Sequence, residues 1–162
     1  MIKKAEELIL NESGLKKFRD ECKKSSKRIV LLTGVFDILH PGHLKFLEES
    51  KECGDVLIVG VDTDALVKEF KGERRPILGE YDRAHLLAGF ECVSCVHIFS
   101  DHVDLIRQIK PDVYIMSAGS IRKPEERTEI HEAIREVSGQ VIVFDEFSTI
   151  HSSEMINKMN KI

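Results

Sequence analysis

Apolar residues gather into five short runs, at 29–35, 56–61, 95–99, 113–116 and 141–144. Each run is nearly continuous. A strand with one wet face alternates apolar and polar residues, whereas a strand covered on both faces does not. Between the runs the spacing becomes helical. Leu44 and Leu47 share a face after Gly42, and Leu86, Leu87 and Phe90 mark a helix after Asp82. Leu105, Ile106 and Ile109 mark the next one. Ile130, Ala133, Ile134 and Val137 follow Pro124, a residue favoured at the first helical position. Leu15, Phe18 and Cys22 predict one more helix ahead of the first run. Strand–helix alternation of this kind predicts a parallel sheet with helices on both faces. Right-handed crossovers then give an α/β, doubly wound, Rossmann-like domain of about five strands. The expected organisation is a single domain over 1–162, with 1–26 as a helical extension and 27–162 as the core. Residues 68–78 are the most polar stretch and are expected to be a mobile loop.

Composition narrows the class. A chain of 162 residues, 42% hydrophobic and 32% charged, suits one soluble globular domain with a real core. No apolar run approaches the roughly 18–20 residues of a membrane helix. The first seven residues include acids and no long apolar stretch, so neither a membrane anchor nor an export signal is expected, and the cytoplasm is the default location. A net charge of −4 argues against nonspecific nucleic-acid binding. Four cysteines are too few for a disulfide scaffold. Cys92 and Cys95 form a lone C-x-x-C with no second pair to complete a zinc site. The pair precedes a strand instead of opening a helix, so buried structural cysteines are expected.

In a doubly wound sheet, ligands bind beyond the carboxyl ends of the strands. The first run ends in Thr33-Gly34-Val35-Phe36-Asp37, followed by Ile38-Leu39-His40-Pro41-Gly42-His43. A helix starting near Gly42 would offer amide N–H groups and a partial positive charge to phosphate. Two imidazoles three residues apart can face that site together. Gly42 lets a triphosphate approach the backbone, and Gly34 is expected to act similarly after the strand. Transfer of a nucleotidyl group in line at the α-phosphorus needs fixed donors for the oxygens that gain charge, and no protein nucleophile. Histidine supplies such donors near neutral pH. Mg²⁺ is expected to accompany the triphosphate and shield its charge. A bare helix start at a Pro-Gly turn is the competing reading of the two histidines.

The segment Thr33–His43 resembles the signature of the cytidylyltransferase-like nucleotidyltransferases. That family includes glycerol-3-phosphate and phosphocholine cytidylyltransferases, archaeal FAD synthetases and the adenylyltransferase domain of the bacterial heptose enzyme. The resemblance runs from about Lys27 onward. It is strongest to the heptose 1-phosphate adenylyltransferase domain, through Phe36-Asp37-Ile38-Leu39-His40, Asp62-Thr63-Asp64, Lys71-Gly72 with Arg75-Pro76, and Glu80-x-x-Arg83. The resemblance implies roles. His40 and His43 would be catalytic and contact the triphosphate. Thr33, Gly34, Val35, Phe36 and Gly42 would line the nucleotide. Asp37 would bind substrate or orient the site. Lys71 would bring a cation to the phosphates, while Arg75 and Arg83 would lie near the acceptor. Arg83 could instead be a surface helix cation, and Asp64 is expected to be a helix N-cap. Ile150-His151-Ser152-Ser153 is similar to the family's second motif, in which Ser152 and Ser153 would cap the last helix and bind phosphate. Relatives dimerise, which leaves a homodimer open for this chain.

Three positions depart from the family pattern. Ser117-Ala118-Gly119-Ser120 replaces a Gly-Asp-Asp-like turn, Glu146 stands near a usual arginine, and Ser94 stands where aspartate is common. The segment from Ser120 to Pro124 either supplies cations for an acceptor phosphate or is a solvated loop. The expected function is therefore transfer of a nucleotidyl group from a nucleoside triphosphate to a small phosphorylated acceptor, with adenylyl transfer to a sugar phosphate such as heptose 1-phosphate as the leading form. Cytidylyl transfer to glycerol 3-phosphate, adenylyl transfer to FMN, and a nucleotide-binding protein without turnover are the alternatives.

Overall fold

The computed structural model describes residues 4–119, 124–145, 155–156 and 158. Five strands form one parallel sheet: β1 (Ile29–Gly34), β2 (Val56–Asp62), β3 (Cys95–Phe99), β4 (Val113–Ser117) and β5 (Gln140–Phe144). Their order is β3-β2-β1-β4-β5. The helices are α1 (Ala5–Leu8), α2 (Glu12–Lys24), α3 (Pro41–Lys51), α4 (Asp64–Lys71), α5 (Glu80–Ala88), α6 (His102–Ile109) and α7 (Pro124–Glu136).

The near-continuous apolar runs follow from two-sided burial. Val30, Leu32, Leu57 and Val59 pack on one face with Leu47 of α3 and Ala84 and Leu87 of α5. Ile29, Leu31 and Ile58 pack on the other with Leu15 of α2, Ile106 of α6 and Ile134 of α7. Each such side chain, fully buried, contributes about 1.5–3 kcal/mol. The N-terminal segment joins both layers. Ile9 bridges Val96 in parallel, and Leu10 O lies 2.7 Å from His97 Nδ1. The edge strand β3 is thus covered along part of its length, which blunts a sheet edge.

Two expectations change. Residues 68–71 belong to α4, whose Leu66, Val67 and Phe70 supply an apolar face that a count of polar residues hides. The helix is capped by Thr63, whose hydroxyl accepts from Leu66 N, so Asp64 is the first helical residue and not the cap. The loop that remains, 72–79, is tied down by the contacts described below. Ser94 precedes β3 at the amino end, where its hydroxyl accepts from Leu57 N at 3.0 Å. That departure from the family pattern is therefore far from the carboxyl edge. The four cysteines are free, Cys22 and Cys95 buried and Cys53 and Cys92 half-buried. Burial pushes the Cys95 thiol up to about 12, the inert state expected of a packing residue.

Since α3 and α5 lie on one face and α6 and α7 on the other, strand order reverses between β1 and β4. The crevice for a ligand opens there, beyond Gly34 and Ser117. Gly60 of β2 shows how tightly the layer below is packed. A Cβ at this position would meet Leu105 Cδ2 and Thr33 Cγ2 at 2.9 Å and Phe99 Cδ1 at 3.1 Å. Gly60→Ala should lower unfolding free energy by about 1–3 kcal/mol, the usual cost of overpacking, read from urea denaturation.

Candidate active site

The two histidines sit where the chain turns from β1 into α3. His40 is the N-cap, with extended backbone, and Pro41 takes the first helical position, where its missing N–H costs nothing. Gly42 is buried in the first turn. Pro41 has no N–H, and His43 N bonds His40 O at 2.9 Å, so Gly42 N–H is the amide this turn can offer an anion. The imidazoles of His40 and His43 meet at a centroid distance of 3.9 Å with their planes tilted by 39°, and Phe36 meets His43 edge-on at 5.5 Å.

The geometry fixes the state of His43. His40 N–H donates to His43 Nδ1 at 3.3 Å, so Nδ1 is an acceptor and the proton belongs on Nε2. Burial, then the neighbouring His40 and the charge of Lys71, lower its pKa to about 4. His43 is therefore a neutral imidazole at pH 7 that donates from Nε2. The field of Lys71, the last residue of α4, thus extends to His43.

Phe36 holds a left-handed backbone, φ +52°, which costs a bulky residue on the order of 1–3 kcal/mol. Packing over-determines it. The side chain is buried, and its ring lies over Gly34, where a Cβ would approach it at 3.0 Å. The space above Gly34, expected to admit phosphate, is thus filled by Phe36.

Asp37 is 2% exposed and faces the loop 72–79. Its carboxylate accepts from Arg75 Nε at 2.7 Å, Ile77 N at 2.8 Å and Leu78 N at 2.9 Å. Burial alone would raise its pKa. The two amides and Arg75 outweigh burial and hold it below the ordinary value. Of the two roles expected for Asp37, this geometry matches orientation of the site, because the carboxylate is occupied by the loop.

Arg83 is fully buried, at 0% exposure. Nε donates to Leu78 O, Nη1 to Val35 O and Nη2 to both Asp62 O and Asp64 Oδ1, at 2.6–2.9 Å. It is not a surface cation, and its donors meet protein acceptors in place of the acceptor substrate expected for it. The signal was in the sequence: Arg83 shares the inward helical face of Leu87, four residues on. Thr33 also differs from expectation. Its hydroxyl lies 2.6 Å from Tyr114 Oη and 3.3 Å from His102 Nδ1, on the α6 face. Sequence reasoning passed over His102, Tyr114 and Glu126: Tyr114 and His102 meet Thr33 there, and Glu126 and Asp62 approach His102. A lone Tyr in an apolar strand was the available signal. Ser152, Ser153, His151, Glu146 and residues 120–123 lie outside the described residues.

The structure thus brings His40, His43, Phe36 and Gly42 together, with Lys71 acting on His43 through its field and Asp37, Arg75 and Arg83 fixing nearby loops. A five-stranded parallel sheet with a histidine pair at the start of the helix after β1 defines an α/β domain of the doubly wound class. The chain belongs to the cytidylyltransferase-like family, whose model matches residues 31–159. It is 47% identical over 112 residues to the bifunctional protein HldE of Nitratiruptor sp., covering 68% of this chain and 24% of that protein. It is 41% identical over 123 residues to the HldE protein of Helicobacter pylori, covering 72% of this chain and 27% of the relative. The chain therefore spans about a quarter of the length of these relatives. Among solved structures, a lipopolysaccharide core biosynthesis protein from Thermoplasma volcanium superposes with a TM-score of 0.62 at 27% identity, covering 76% of this chain and 99% of that one.

Two outcomes follow from the site's construction. His43, with a pKa near 4 against about 6.5 when unfolded, stabilises the fold fully above pH 6.5. That contribution should fade as pH falls from 6.5 to 4. Imidazole ¹⁵N NMR should show an Nε2–H tautomer that does not titrate between about pH 5.5 and 7.5. Arg83→Met should cost about 3–5 kcal/mol in thermal or urea unfolding, because buried carbonyls lose their donors, with Arg83→Lys less damaging.

Proposed function

We propose that the chain transfers a nucleotidyl group from a nucleoside triphosphate to a small phosphorylated acceptor and releases pyrophosphate. The observation that carries this is the paired imidazoles of His40 and His43 at the start of α3, on the ligand-binding edge of a doubly wound sheet. Family membership supports the same reading.

An oxygen of the acceptor phosphate attacks the α-phosphorus in line. The new O–P bond forms as the bond to pyrophosphate breaks, and charge builds on the equatorial and leaving oxygens. Neutral His43 donates Nε2–H to those oxygens. A neutral donor here is consistent with its half-buried position beside His40 and in the field of Lys71. His40 and Gly42 N–H lie beside it, and Lys71 adds a cation. Because Asp37 and Arg83 fix the surrounding loops, these donors need little reorganisation during the reaction. Arg75, held by Asp37, borders the acceptor side. Among the described residues no group of three or more His, Cys, Asp or Glu side chains is placed to hold a metal ion. Mg²⁺ accompanying the triphosphate would supply neutralisation of part of its charge.

The substrate pair follows from the resemblance to the heptose 1-phosphate adenylyltransferase domain and from the similarity to HldE proteins. ATP is the donor in this reading and a sugar 1-phosphate, with heptose 1-phosphate as its form, is the acceptor. No helix is long and apolar enough to cross a membrane among the described residues. Pyrophosphate release measured with ATP or CTP, each against heptose 1-phosphate, glycerol 3-phosphate and FMN, tests the assignment. Turnover with ATP and the sugar phosphate is expected, and a preference for CTP would overturn it. His40→Ala or His43→Ala should lower turnover by roughly 10²–10³-fold, and near-normal rates in either variant would remove the histidines from the chemistry.

A further inference from the structure

Between β1 and α3 the chain passes through Phe36 in the left-handed region, φ +52°, which a bulky residue rarely adopts. The residues on both sides of it are anchored. Val35 O accepts from Arg83 Nη1 at 2.6 Å. The Asp37 carboxylate accepts from Arg75 Nε, Ile77 N and Leu78 N at 2.7–2.9 Å. The backbone at Phe36 is therefore set from two sides, and with it the direction of the ring. Phe36 is buried in the same apolar layer as Leu32 of β1 and Leu47 of α3. Leu47 lies one helical turn after His43 and on the same face of α3.

Two contacts of this ring bear on the site. It meets the His43 imidazole edge-on, with centroids 5.5 Å apart. It also crowds Gly34, where a Cβ would lie 3.0 Å from Phe36 Cε2, 3.1 Å from Cζ and 3.4 Å from Cδ2. Gly34 does not hold a left-handed φ, so its backbone places no demand for glycine, whereas room for the ring does. His43 has two further restraints, the ring of His40 and the His40 N–H that donates to Nδ1. Both come from its own helix start. Phe36 comes from the strand exit, and it joins the imidazole to the anchors made by Arg83 and Asp37.

We infer that Phe36 is a positioning residue that holds the His43 imidazole on its target, and that position 34 is glycine to admit the Phe36 ring. The inference rests on the nucleotidyl-transfer reading for its effect on rate, since Phe36 acts through His43. A fixed donor loses its advantage when its aim drifts, and a displacement of about 1 Å can cost on the order of 10²-fold in rate. The ring also keeps water from one side of the imidazole. His40 beside it and Lys71 of α4 are the titratable groups that act on His43, and both disfavour its charged form, as does burial. Loosening Phe36 removes part of that burial and leaves the two charges in place.

Phe36→Leu, Gly34→Ala and the double variant test the inference. Leucine keeps the Cδ atoms and lacks the Cε2 and Cζ that most crowd position 34. Phe36→Leu should lower kcat with ATP and heptose 1-phosphate by roughly 10- to 100-fold while KM for ATP changes by about threefold or less. Gly34→Ala should do the same by displacing the ring, and the double variant should be slower than the worse single variant by no more than about threefold. Imidazole ¹⁵N NMR on folded Phe36→Leu needs no substrate. Its His43 should titrate between about pH 5.5 and 7.5, where the wild type does not, because lost burial raises an imidazole pKa. Phe36→Met, closer to phenylalanine in length, is a second variant with the same expected direction. A lower urea midpoint with unchanged His43 titration and unchanged kcat in both variants overturns the positioning role and leaves nucleotidyl transfer standing. Losses from Gly34→Ala and Phe36→Leu that multiply overturn the reason given for Gly34. A wild type that neither binds nor turns over a nucleoside triphosphate overturns the reading beneath the rate effect, and the His43 titration then decides the contact by itself.

Discussion

A guanidinium with no exposed surface must find acceptors for the N–H groups it buries, or the fold loses several kcal/mol. Arg83 finds them in three separate places: the exit from β1 at Val35, the junction of β2 and α4 at Asp62 and Asp64, and the end of the 72–79 loop at Leu78. These segments surround the histidine pair. Asp37 grips the same loop from the opposite side through Ile77 N, Leu78 N and Arg75. A polar loop that composition marks as mobile is thereby fixed to the β1 exit. The left-handed backbone of Phe36 persists within this frame, since its ring is packed over Gly34 and against His43.

Electrostatics at the carboxyl edge follow from that frame. His43 lies half-buried beside a second imidazole and within the field of Lys71, so it stays neutral and donates from one defined nitrogen. Across the reversal in strand order, His102 stands between two carboxylates, Asp62 and Glu126. The sheet itself is apolar on both faces, so the chemistry concentrates in the side chains at strand exits and helix starts.

The departures from the family pattern acquire different weights once placed. Ser94 bonds Leu57 at the amino end of β2, at the opposite end of the strands from the carboxyl edge where such sheets bind ligands. Ser117 and Ala118 lie at the exit of β4, beside the crevice, and Ala118 N bonds Phe144 O to continue the pairing with β5. The cluster of Thr33, Tyr114 and His102 is equally close to the crevice, although none of its members belongs to the His-x-Gly-His segment.

The sequence by itself determined the layer architecture and the place of the histidines. Continuous apolar runs mean strands buried on both faces, and 3.6-residue spacing means helices between them; both are local properties of the chain. The strand-to-helix turn at His40-Pro41-Gly42-His43 was legible for the same reason, since an N-cap, a proline at the first position and a histidine at the third are all read within four residues. Tertiary structure alone decided what Arg83, Asp37 and Thr33 do. Each makes its decisive bonds to residues at least 38 positions away, apart from the links of Arg83 to Leu78, Asp62 and Asp64. A charged residue on a helix is compatible with water or with the core, and only the folded chain shows that Arg83 has acceptors enough to be buried. Helix α4 was hidden in the same way, because its apolar face is short and gains its meaning from the packing of Leu66 against the core. Local pattern fixes which elements form, and long-range hydrogen bonding fixes which polar side chains are left to meet a ligand.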